Sequence, residues 1–325
     1  MNSLTNLPLV SIITPSYNQA AYLEETIQSV FSQTGVELEY FVIDGGSSDG
    51  SVEIIQRYSH RLTGWISEPD NGQAEAINKG FSRATGKYIA WLNSDDLYLP
   101  NAVSQAVSAL EANPELGLIY GDAISIDPQG AVLNPLNFSD WGLGDLLGFR
   151  IICQPAVFMR RSILTQAGYL DPSYHYMLDH QLWLRMARLA PIRHLPHTLA
   201  AARQHPGAKN VLQAAAFGDE ILRILEWIKN QPDFQPILAR RGGRITAGAY
   251  RLKARYLLDG GQPGPALKAY FQGLRYHPGF TLQHWHRMLY AALSLVGLGK
   301  LDRLYYRLAR QRNSPAMATP KDPLP

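Results

Sequence analysis

The sequence predicts an α/β fold in which a mostly parallel sheet is flanked by helices and followed by a helical appendage. Short apolar runs alternate with amphipathic runs in the first half of the chain, the pattern of a parallel sheet covered by helices. Polar, glycine-rich segments follow several apolar runs. Beyond residue 210 the sequence is rich in Leu, Ala, Tyr and Arg. We expect a sheet domain over residues 1–210, a basic helical appendage over 211–312 and a disordered tail over 313–325.

Each element follows from its own residue pattern. Leu9–Thr14 is apolar and β-branched, and it predicts a strand that Pro15 ends. Ala20–Phe31 predicts a helix because its apolar residues recur every three or four positions. The other predicted strands are Glu39–Asp44, Trp65–Ile66, Lys87–Leu92, Leu116–Tyr120 and Ala156–Met159. The other predicted helices are Ser51–Tyr58, Gln73–Ala84, Asn101–Glu111 and Leu178–Leu189.

The appendage contains one stretch, Tyr250–Pro278, that resembles a single tetratricopeptide-like helical hairpin. Such repeats need neighbouring copies to bury their faces. An ordinary pair of packed helices is the alternative interpretation.

Composition and charge narrow the class of protein. Hydrophobic residues make up 46% of the chain and charged residues 18%, which fits a globular fold with a sizeable core and argues against a disordered or fibrous one. The net charge of +3 is unevenly spread. Residues 240–310 hold thirteen Lys or Arg against Asp259 and Asp302, a local charge of +11. Residues 1–239 therefore carry about −9, and the two regions are expected to have different roles.

The chain has the features expected of a cytoplasmic protein. Its single cysteine, Cys153, cannot form an intramolecular disulfide. The segment Met1–Pro8 lacks the basic start and apolar stretch of a signal peptide. The longest apolar run, Met288–Gly299, is too short to span a bilayer about 30 Å thick. No transmembrane helix is predicted.

Polar clusters follow three predicted strands, and ligands of open parallel sheets gather at that edge. The clusters are Pro15–Asn18, Asp44–Asp49 and Asn93–Asp96. In the last cluster two adjacent carboxylates follow an apolar strand, an arrangement that is costly unless a cation compensates the charge. Mg²⁺ or Mn²⁺ shared with a diphosphate would supply that compensation. An acidic helix N-terminus near Asn101 is the alternative.

Four motifs follow one another in the first hundred residues: Val10–Asn18 (VSIITPSYN), Val42–Gly50 (VIDGGSSDG), Asn71–Gly80 (NGQAEAINKG) and Gly86–Asp96 (GKYIAWLNSDD). Together they resemble family 2 glycosyltransferases of the GT-A fold, the nucleotide-diphospho-sugar transferase type. Their order and spacing agree over about 90 residues, and the resemblance continues to about His205. Each is common alone, whereas four in this order are hard to produce by chance.

The resemblance implies a role for each matching position. It places the sugar-nucleotide donor against the following residues: Pro15, Tyr17, Asn18, Asp44, Gly46, Gln73, Asn78 and Asp95. Asp44 would accept from the base, usually uracil. Asp95 and Asp96 match the acidic motif that holds Mn²⁺ or Mg²⁺, with Asp95 nearer the ribose and Asp96 the better metal ligand. Many relatives have Asp where this chain has Asn93, a departure that removes one charge. Without the resemblance, Tyr17 and Asp44 fit ordinary turns.

The resemblance also implies a catalytic base. Relatives carry an acidic pair before a Leu-Trp-Leu-Arg helix, and here the stretch is Leu178–Arg185. Leu178 replaces the first acid, so the role falls on Asp179 alone; a helix-start acid favoured by the helix dipole is the alternative. His205 matches a segment where some relatives place a histidine near the diphosphate, as a third metal ligand. A surface loop histidine is equally compatible with the sequence.

These assignments predict an inverting glycosyltransferase that moves a sugar, usually from a UDP-linked donor, to a hydroxyl of a saccharide or lipid-linked acceptor. Synthesis of cell-surface polysaccharide or glycolipid is the expected setting. Two alternatives belong to other classes. A sugar-nucleotide nucleotidyltransferase would carry a glycine-rich, basic phosphate loop after the first strand, where this chain has Pro15–Asn18. A non-catalytic helical binding protein with a degenerate α/β domain would have no need of the four acids Asp44, Asp95, Asp96 and Asp179.

The basic appendage predicts a partner of its own. Apolar residues from Trp285 to Leu298 are interspersed with and followed by basic ones: Met288, Leu289, Tyr290, Leu293, Leu295 and Val296, with Arg287, Lys300, Arg303 and Arg307. This combination favours an anionic membrane surface, at the inner face of the membrane. A helical pair packed on the sheet domain with an exposed basic face is the alternative. No nucleic-acid motif is present, and nucleic acid is not an expected partner.

Overall fold

The computed structural model describes residues 7–205, 207 and 213–298. One sheet of nine strands runs through the molecule: β1 Leu9–Ser16, β2 Glu37–Asp44, β3 Gly64–Ser67, β4 Tyr88–Trp91, β5 Leu97–Tyr98, β6 Leu118–Ile126, β7 Val132–Leu136, β8 Val157–Arg160 and β9 Ile192–Arg203. The strand order is β3-β2-β1-β4-β8-β6-β9-β5, and β7 pairs with β6 outside this path. The predicted α/β architecture is confirmed.

Helices cover both faces of the sheet and form the appendage. The helices of the first two hundred residues are α1 Ala20–Phe31, α2 Ser51–Tyr58, α3 Gln73–Arg83, α4 Ala102–Ala112, α5 Leu143–Leu147, α6 Arg161–Ala167 and α7 Leu178–Leu189. Those of the appendage are α8 Ala214–Lys229, α9 Gln235–Asp259, α10 Pro263–Tyr276, α11 Pro278–Leu282 and α12 Trp285–Leu295. Short 3₁₀ helices lie at Gln154–Ala156 and Pro232–Phe234.

The sheet is parallel in one half and mixed in the other. Strands β1, β2, β3 and β4 pair in parallel. Strand β8 is antiparallel to both β4 and β6, whereas β6 and β9 are parallel. The parallel half is the one that the alternating sequence pattern predicts, and it brings the carboxyl ends of β1, β2 and β4 to one edge.

Two hydrophobic clusters sandwich the sheet, because successive strand residues point to opposite faces. Along β2, Tyr40 and Val42 belong to the cluster covered by α1, α2 and α4, whereas Phe41 and Ile43 belong to the other. The second cluster also contains Phe217 of α8 and Ile245 of α9. Hydrophobic side chains on both sides of the predicted boundary at residue 210 thus pack together, and the boundary itself stays a prediction.

Two local predictions need correction. Strand β1 does not end at Pro15 but continues to Ser16, which pairs with Asp44. Its ladder with β4 stops at Ile13, so Pro15 lies where only one neighbouring strand is bonded and proline is tolerated. The sequence pattern also missed β9, whose register against β6 jumps between Leu195 and Thr198. The two skipped residues, one of them a proline, form a bulge that masks the strand pattern.

The appendage helices α9 and α10 form a hairpin around a third cluster, which includes Leu257, Ala266 and Tyr270 and reaches Ala291 of α12. The predicted helical pair in this region is therefore present. Within the described residues, no helix has the length and apolar character needed to cross a membrane. The predicted tail and the basic residues from Lys300 onward lie outside the described part of the chain.

Helix α9 approaches the turn after α5 so closely that a side chain would not fit between them. A Cβ atom placed on Gly248 would come within 2.3 Å of the Gly148 carbonyl oxygen. At Gly242, one and a half turns earlier in the same helix, a Cβ would meet nothing within 4 Å. We expect Gly248→Ala to lower the free energy of unfolding by about 1–3 kcal/mol, because the backbones must move apart.

Gly242→Ala is the matched control, and it should leave stability unchanged or raise it by up to about 1 kcal/mol through helix propensity. Urea denaturation of both variants measures the difference. Equal effects at the two positions would contradict the close packing of α9 against the sheet domain.

Candidate active site

A cleft of about 840 Å³ opens at the carboxyl ends of β1, β2 and β4. The cleft is formed by the ends of β1 and β2, the segment that leads into α3, the segment after β4, the start of α7, the end of β9, and the appendage helices α8 and α9. The predicted site residues that line it are Pro15, Tyr17, Gly46, Gln73, Asp95, Asp96 and Asp179, and further lining residues include Gly45, Asn93, Phe217 and Tyr256. The predicted residues Asn18, Asp44, Asn78 and His205 are not among the lining residues, and the roles of the whole set stay predictions.

The loops after β1 and β2 are tied to each other by short polar contacts. Asn18 has a left-handed backbone with φ 51°, its Oδ1 accepts from the Ser48 N–H at 2.9 Å, and its own N–H donates to Ser47 Oγ at 2.8 Å. Tyr17 is 62% exposed beside the cleft. Asn18 therefore ties the two loops together, while Tyr17 presents an exposed aromatic surface to the cleft.

Asp44 is almost completely buried, and its carboxylate binds the loop that follows it. Its Oδ2 accepts from the N–H groups of Gly46 and Ser47 at 3.0 and 2.9 Å and from Ser67 Oγ at 2.8 Å. Its Oδ1 accepts from Ser47 Oγ at 2.5 Å. The carboxylate holds Gly45 and Gly46 at the cleft surface, and its contact with a base stays a prediction.

A chain of amide side chains crosses the floor of the cleft. Gln73 Nε2 donates to Asn93 Oδ1 at 2.7 Å, and Asn93 Nδ2 donates to Gln154 Oε1 at 3.1 Å and to Asp96 Oδ2 at 3.2 Å. Gln154 Nε2 in turn donates to the Trp91 carbonyl at 2.8 Å. Because an amide both donates and accepts, Asn93 can join these groups. An Asp at position 93 would have no N–H to give to Asp96.

Asp96 is buried, with 6% exposure, and both of its oxygens are engaged. Its Oδ1 accepts from the Arg203 N–H at 3.0 Å, and its Oδ2 accepts from Asn93. Burial and the neighbouring Asp95 carboxylate raise the pKa of Asp96 well above its usual value. Both oxygens of Asp96 are thus already engaged within the protein, and the expectation that Asp96 is the better metal ligand stays a prediction.

The neighbouring Asp95 is more exposed than Asp96, and it is paired with His205. His205 Nε2 lies 3.1 Å from Asp95 Oδ2, and the imidazole packs against Tyr22 with ring centroids 4.9 Å apart. The Asp95 side chain is 20% exposed and that of His205 8%. Within the described residues, no group of three or more His, Cys, Asp or Glu side chains is arranged to hold a metal ion. The roles of Asp95 and His205 as metal ligands stay predictions.

Arg203 holds this acidic edge together, and its side chain has no exposed surface. Its guanidinium donates to the carbonyls of Asp95 and Pro128 at 3.0 Å and to Glu25 Oε2 at 2.5 Å. Its backbone N–H binds Asp96. Sequence reasoning missed this residue, although its position two residues before His205 in a segment that resembles the family was a usable signal.

Asp179 lies in the first turn of α7 and lines the cleft. Burial raises the pKa of its carboxyl to about 6, the His180 N–H that bonds to Oδ1 at 2.7 Å opposes this, and the negative charge of Glu220 adds to the rise. Phe217 and Tyr256, which stack with ring centroids 4.5 Å apart, form an aromatic part of the cleft lining. A carboxyl in such surroundings is suited to take up a proton near neutral pH.

Glu220 of α8 fixes the loop that leads to Asp179. Its carboxylate accepts from the backbone N–H groups of His175, Tyr176 and Met177 at 2.7, 2.8 and 2.8 Å, and the residue is only 7% exposed. The appendage thus supplies an acid directly behind the start of α7. Sequence reasoning had no signal for it, since the contact joins segments more than forty residues apart.

Like Asn18 and Asp44, the predicted donor residue Asn78 is not among the residues that line the cleft. Its side chain donates to the Leu170 carbonyl at 2.9 Å and accepts from the Leu170 N–H at 3.0 Å, as a backbone strand would. Five residues after Gln73, it lies about 7.5 Å farther along α3. These bonds position the loop before α7, and a contact of Asn78 with the donor stays a prediction.

Comparison with known sequences agrees with this arrangement. Residues 11–166 match the family model described as Glycosyl transferase family 2. An uncharacterized glycosyltransferase of Rickettsia felis is 30% identical over 217 residues, 63% of this chain and 36% of that protein. Chondroitin synthase of Escherichia coli is 28% identical over 196 residues, 59% of this chain and 28% of that protein. The matched region thus spans about a third of the length of these relatives.

Solved structures share the fold. S. aureus TarS 1-349 in complex with UDP-GlcNAc superposes with a TM-score of 0.62 at 16% identity, and the match covers 92% of each chain. Mannosyltransferase PcManGT from Pyrobaculum calidifontis, in complex with GDP-Man and Mn²⁺, gives a TM-score of 0.56 at 19% identity, covering 89% of this chain and 87% of that one. These likenesses establish the GT-A fold for this chain.

The Glu220 contact predicts that the appendage stabilises the Asp179 region. In Glu220→Gln, one of the acceptor oxygens is replaced by an NH₂ group that faces backbone N–H groups. We expect the free energy of unfolding to fall by about 1–3 kcal/mol, because buried donors lose their acceptor. Glu226→Gln, on the exposed face of the same helix, is the control and should change stability by no more than about 0.5 kcal/mol. Equal denaturation midpoints for both variants would contradict this role of Glu220.

Proposed function

The chain belongs to glycosyl transferase family 2, and we propose that it transfers a sugar, with inversion, from a UDP-linked donor to a hydroxyl of a saccharide or lipid-linked acceptor. The observation that carries this proposal is that Asp95 and Asp179 line one cleft at the carboxyl edge of a parallel sheet, with His205 bonded to Asp95. Synthesis of cell-surface polysaccharide or glycolipid is the proposed setting, supported by the likeness to chondroitin synthase.

We propose that the nucleotide lies across the ends of β1 and β2. Tyr17 offers an exposed aromatic face beside Pro15, and Gly46 leaves room for close approach of a ligand to the backbone. Gln73 and Asp95 line the same cleft, and we place the diphosphate beside them. The solved neighbour that holds UDP-GlcNAc supports a UDP-sugar as the donor.

A divalent metal, Mn²⁺ or Mg²⁺, fits the pair formed by Asp95 and His205. Adjacent ligands of an octahedral ion, each about 2.1 Å from it, lie about 3 Å apart, and Asp95 Oδ2 and His205 Nε2 are 3.1 Å apart. Such an ion would neutralise charge that builds on the leaving diphosphate. The Mn²⁺ complex of PcManGT supports this assignment. Donor turnover that persists unchanged after EDTA treatment would contradict it.

In the proposed reaction Asp179 removes the proton from the acceptor hydroxyl as its oxygen attacks the anomeric carbon. The new glycosidic bond forms while the bond to the diphosphate breaks, and the nucleoside diphosphate leaves from the opposite face. The raised pKa of Asp179, about 6, makes it a stronger base than an exposed carboxylate and leaves it ionised at pH 7. Gln73, Asn93 and Gln154 keep the floor of the site in place through their hydrogen bonds.

We further propose that the protein works in the cytoplasm, at the inner face of the membrane. Trp285, Leu289 and Leu295 of α12 are 58%, 49% and 55% exposed, and Val296 after it is 69% exposed. Met288 and Tyr290 instead pack on the third cluster, so they do not belong to this exposed face. Apolar side chains beside basic ones suit the interface of an anionic bilayer. A lipid-linked acceptor would be reached most easily there.

Asp179→Asn tests the base assignment. We expect turnover to fall by about 10²–10⁴-fold, while the affinity for the donor is retained, because the amide keeps the shape but cannot accept the proton. Asp233 is an exposed acid that pairs with Arg188 and does not line the cleft. The control variant Asp233→Asn should therefore retain turnover. Turnover is followed with a panel of nucleotide sugars in the presence of Mn²⁺. Full activity of Asp179→Asn would contradict the assignment of Asp179 as the catalytic base.

The same carboxyl predicts the pH profile. Only the deprotonated form of Asp179 is active, and its pKa is raised to about 6. Turnover should therefore be nearly constant above pH 7 and fall about tenfold for each unit below pH 6. A profile without an acid limb between pH 5 and 7 would contradict a base with this pKa.

Flotation with vesicles that contain anionic phospholipid tests the membrane proposal. The double variant Trp285→Ser/Leu289→Ser should lose most of its vesicle binding, since it removes two of the large exposed apolar side chains of α12. Val132→Ser/Leu133→Ser removes two apolar side chains of β7 that are 63% and 47% exposed, and it should bind as the unchanged protein does. Failure of the unchanged protein to bind at low salt would refute the proposal.

A further inference from the structure

A second, smaller pocket of about 90 Å³ lies between the loop around α5 and the appendage helices. Three arginines line it: Arg150 after α5, and Arg241 and Arg244 on α9. Gly144, Gly148 and Phe280 complete most of the wall, and Asp145 is the one acid in its lining. None of these residues lines the large cleft, so the two sites are separate.

The arginines are held in place by contacts that leave their charges unbalanced. Arg150 lies over the Trp141 ring at 5.5 Å and Arg244 over the Phe280 ring at 5.2 Å. Arg241 approaches the backbone of Gly144. In the described part of the chain, none of these three arginines forms an ion pair with a carboxylate. The arginines that do are Arg57, Arg188, Arg203, Arg255 and Arg287. Asp145 Oδ2 accepts from the Gly142 N–H at 3.3 Å.

More positive charge lies behind the pocket. Arg251, one and a half to two turns after Arg244 on α9, donates through Nη2 to the Phe149 carbonyl at 2.7 Å, while its buried Nε has no hydrogen-bond partner. Burial, together with the charges of Arg150, Arg255 and Arg287, lowers the pKa of Arg251 to about 10. Like charges this close repel one another. A bound anion would offset that repulsion.

We infer that the pocket of Arg150, Arg241 and Arg244 binds a phosphate group. Several guanidinium groups around one small space are suited to a tetrahedral oxyanion, which accepts charge-assisted hydrogen bonds from more than one side. A volume of about 90 Å³ holds such a group but not a sugar nucleotide. This inference goes beyond the proposed transfer reaction and does not depend on it.

The phosphate has two possible sources, a membrane lipid headgroup or a soluble phosphate compound. Exposed apolar residues follow Phe280 closely along the chain: Leu282 is 50% exposed and Trp285 58%. Apolar residues next to a phosphate site are the combination expected where a headgroup is bound at a bilayer surface. The two sources can be separated by experiment.

The test uses Arg241→Gln/Arg244→Gln in the full chain, which removes two charges and keeps the side chains polar. Titration calorimetry with inorganic phosphate should show binding to the unchanged protein and an affinity at least about tenfold lower for the variant. Lys229→Gln/Lys268→Gln, which removes two exposed charges of α8 and α10 outside the pocket, should bind phosphate normally. Thermal melts of all three proteins show whether each is folded.

Flotation with vesicles that contain phosphatidylglycerol then identifies the source. Loss of both phosphate and vesicle binding in the arginine variant alone supports a headgroup site. Loss of phosphate binding with vesicle binding kept supports a site for a soluble phosphate compound. Equal phosphate affinity in the arginine variant and the unchanged protein, or an equal loss in the lysine control, overturns the inference.

Discussion

The active-site edge of this protein depends on how it accommodates two adjacent acids, Asp95 and Asp96, of which Asp96 is buried. The buried Arg203 provides the solution. Its backbone satisfies Asp96, and its side chain binds the Asp95 carbonyl and Glu25. Since unpaired buried carboxylates are costly, these bonds allow Asp96 to stay inside while Asp95 faces the cleft with His205. The division of roles between the two acids follows from this asymmetry.

The parallel half of the fold could be predicted because its sequence periods are clear. The bounds predicted for α1, α2 and α7 agree with the structure. Strand β9 could not be found, since its proline-containing bulge interrupts the alternation that marks a strand. Its absence from the prediction mattered, because β9 carries Arg203 to the site.

The same limits apply to the candidate site. Asp95, Asp96 and Asp179 line one cleft. The first two could be expected there because they follow a parallel strand, whereas Asp179 was assigned from the resemblance to the family alone. The sequence could not say which acid points outward, since that choice depends on the hydrogen bonds of Asn93 and Arg203. The resemblance assigned Asn78 to the donor, and in the structure its side chain bonds to the backbone of Leu170. The contact of Glu220 could not be predicted from the sequence, because only tertiary packing brings α8 to the start of α7.

The three backbone bonds of Glu220 have a consequence for how such enzymes diversify. The helical appendage, through Glu220 of α8, holds the segment that precedes Asp179. Exchange of the C-terminal helices between homologues would therefore be expected to yield a working chimera only if the incoming helix brings an equivalent carboxylate. A recombination breakpoint placed between α7 and α8 would separate the two partners of this clamp, whereas one placed after α8 would keep them together.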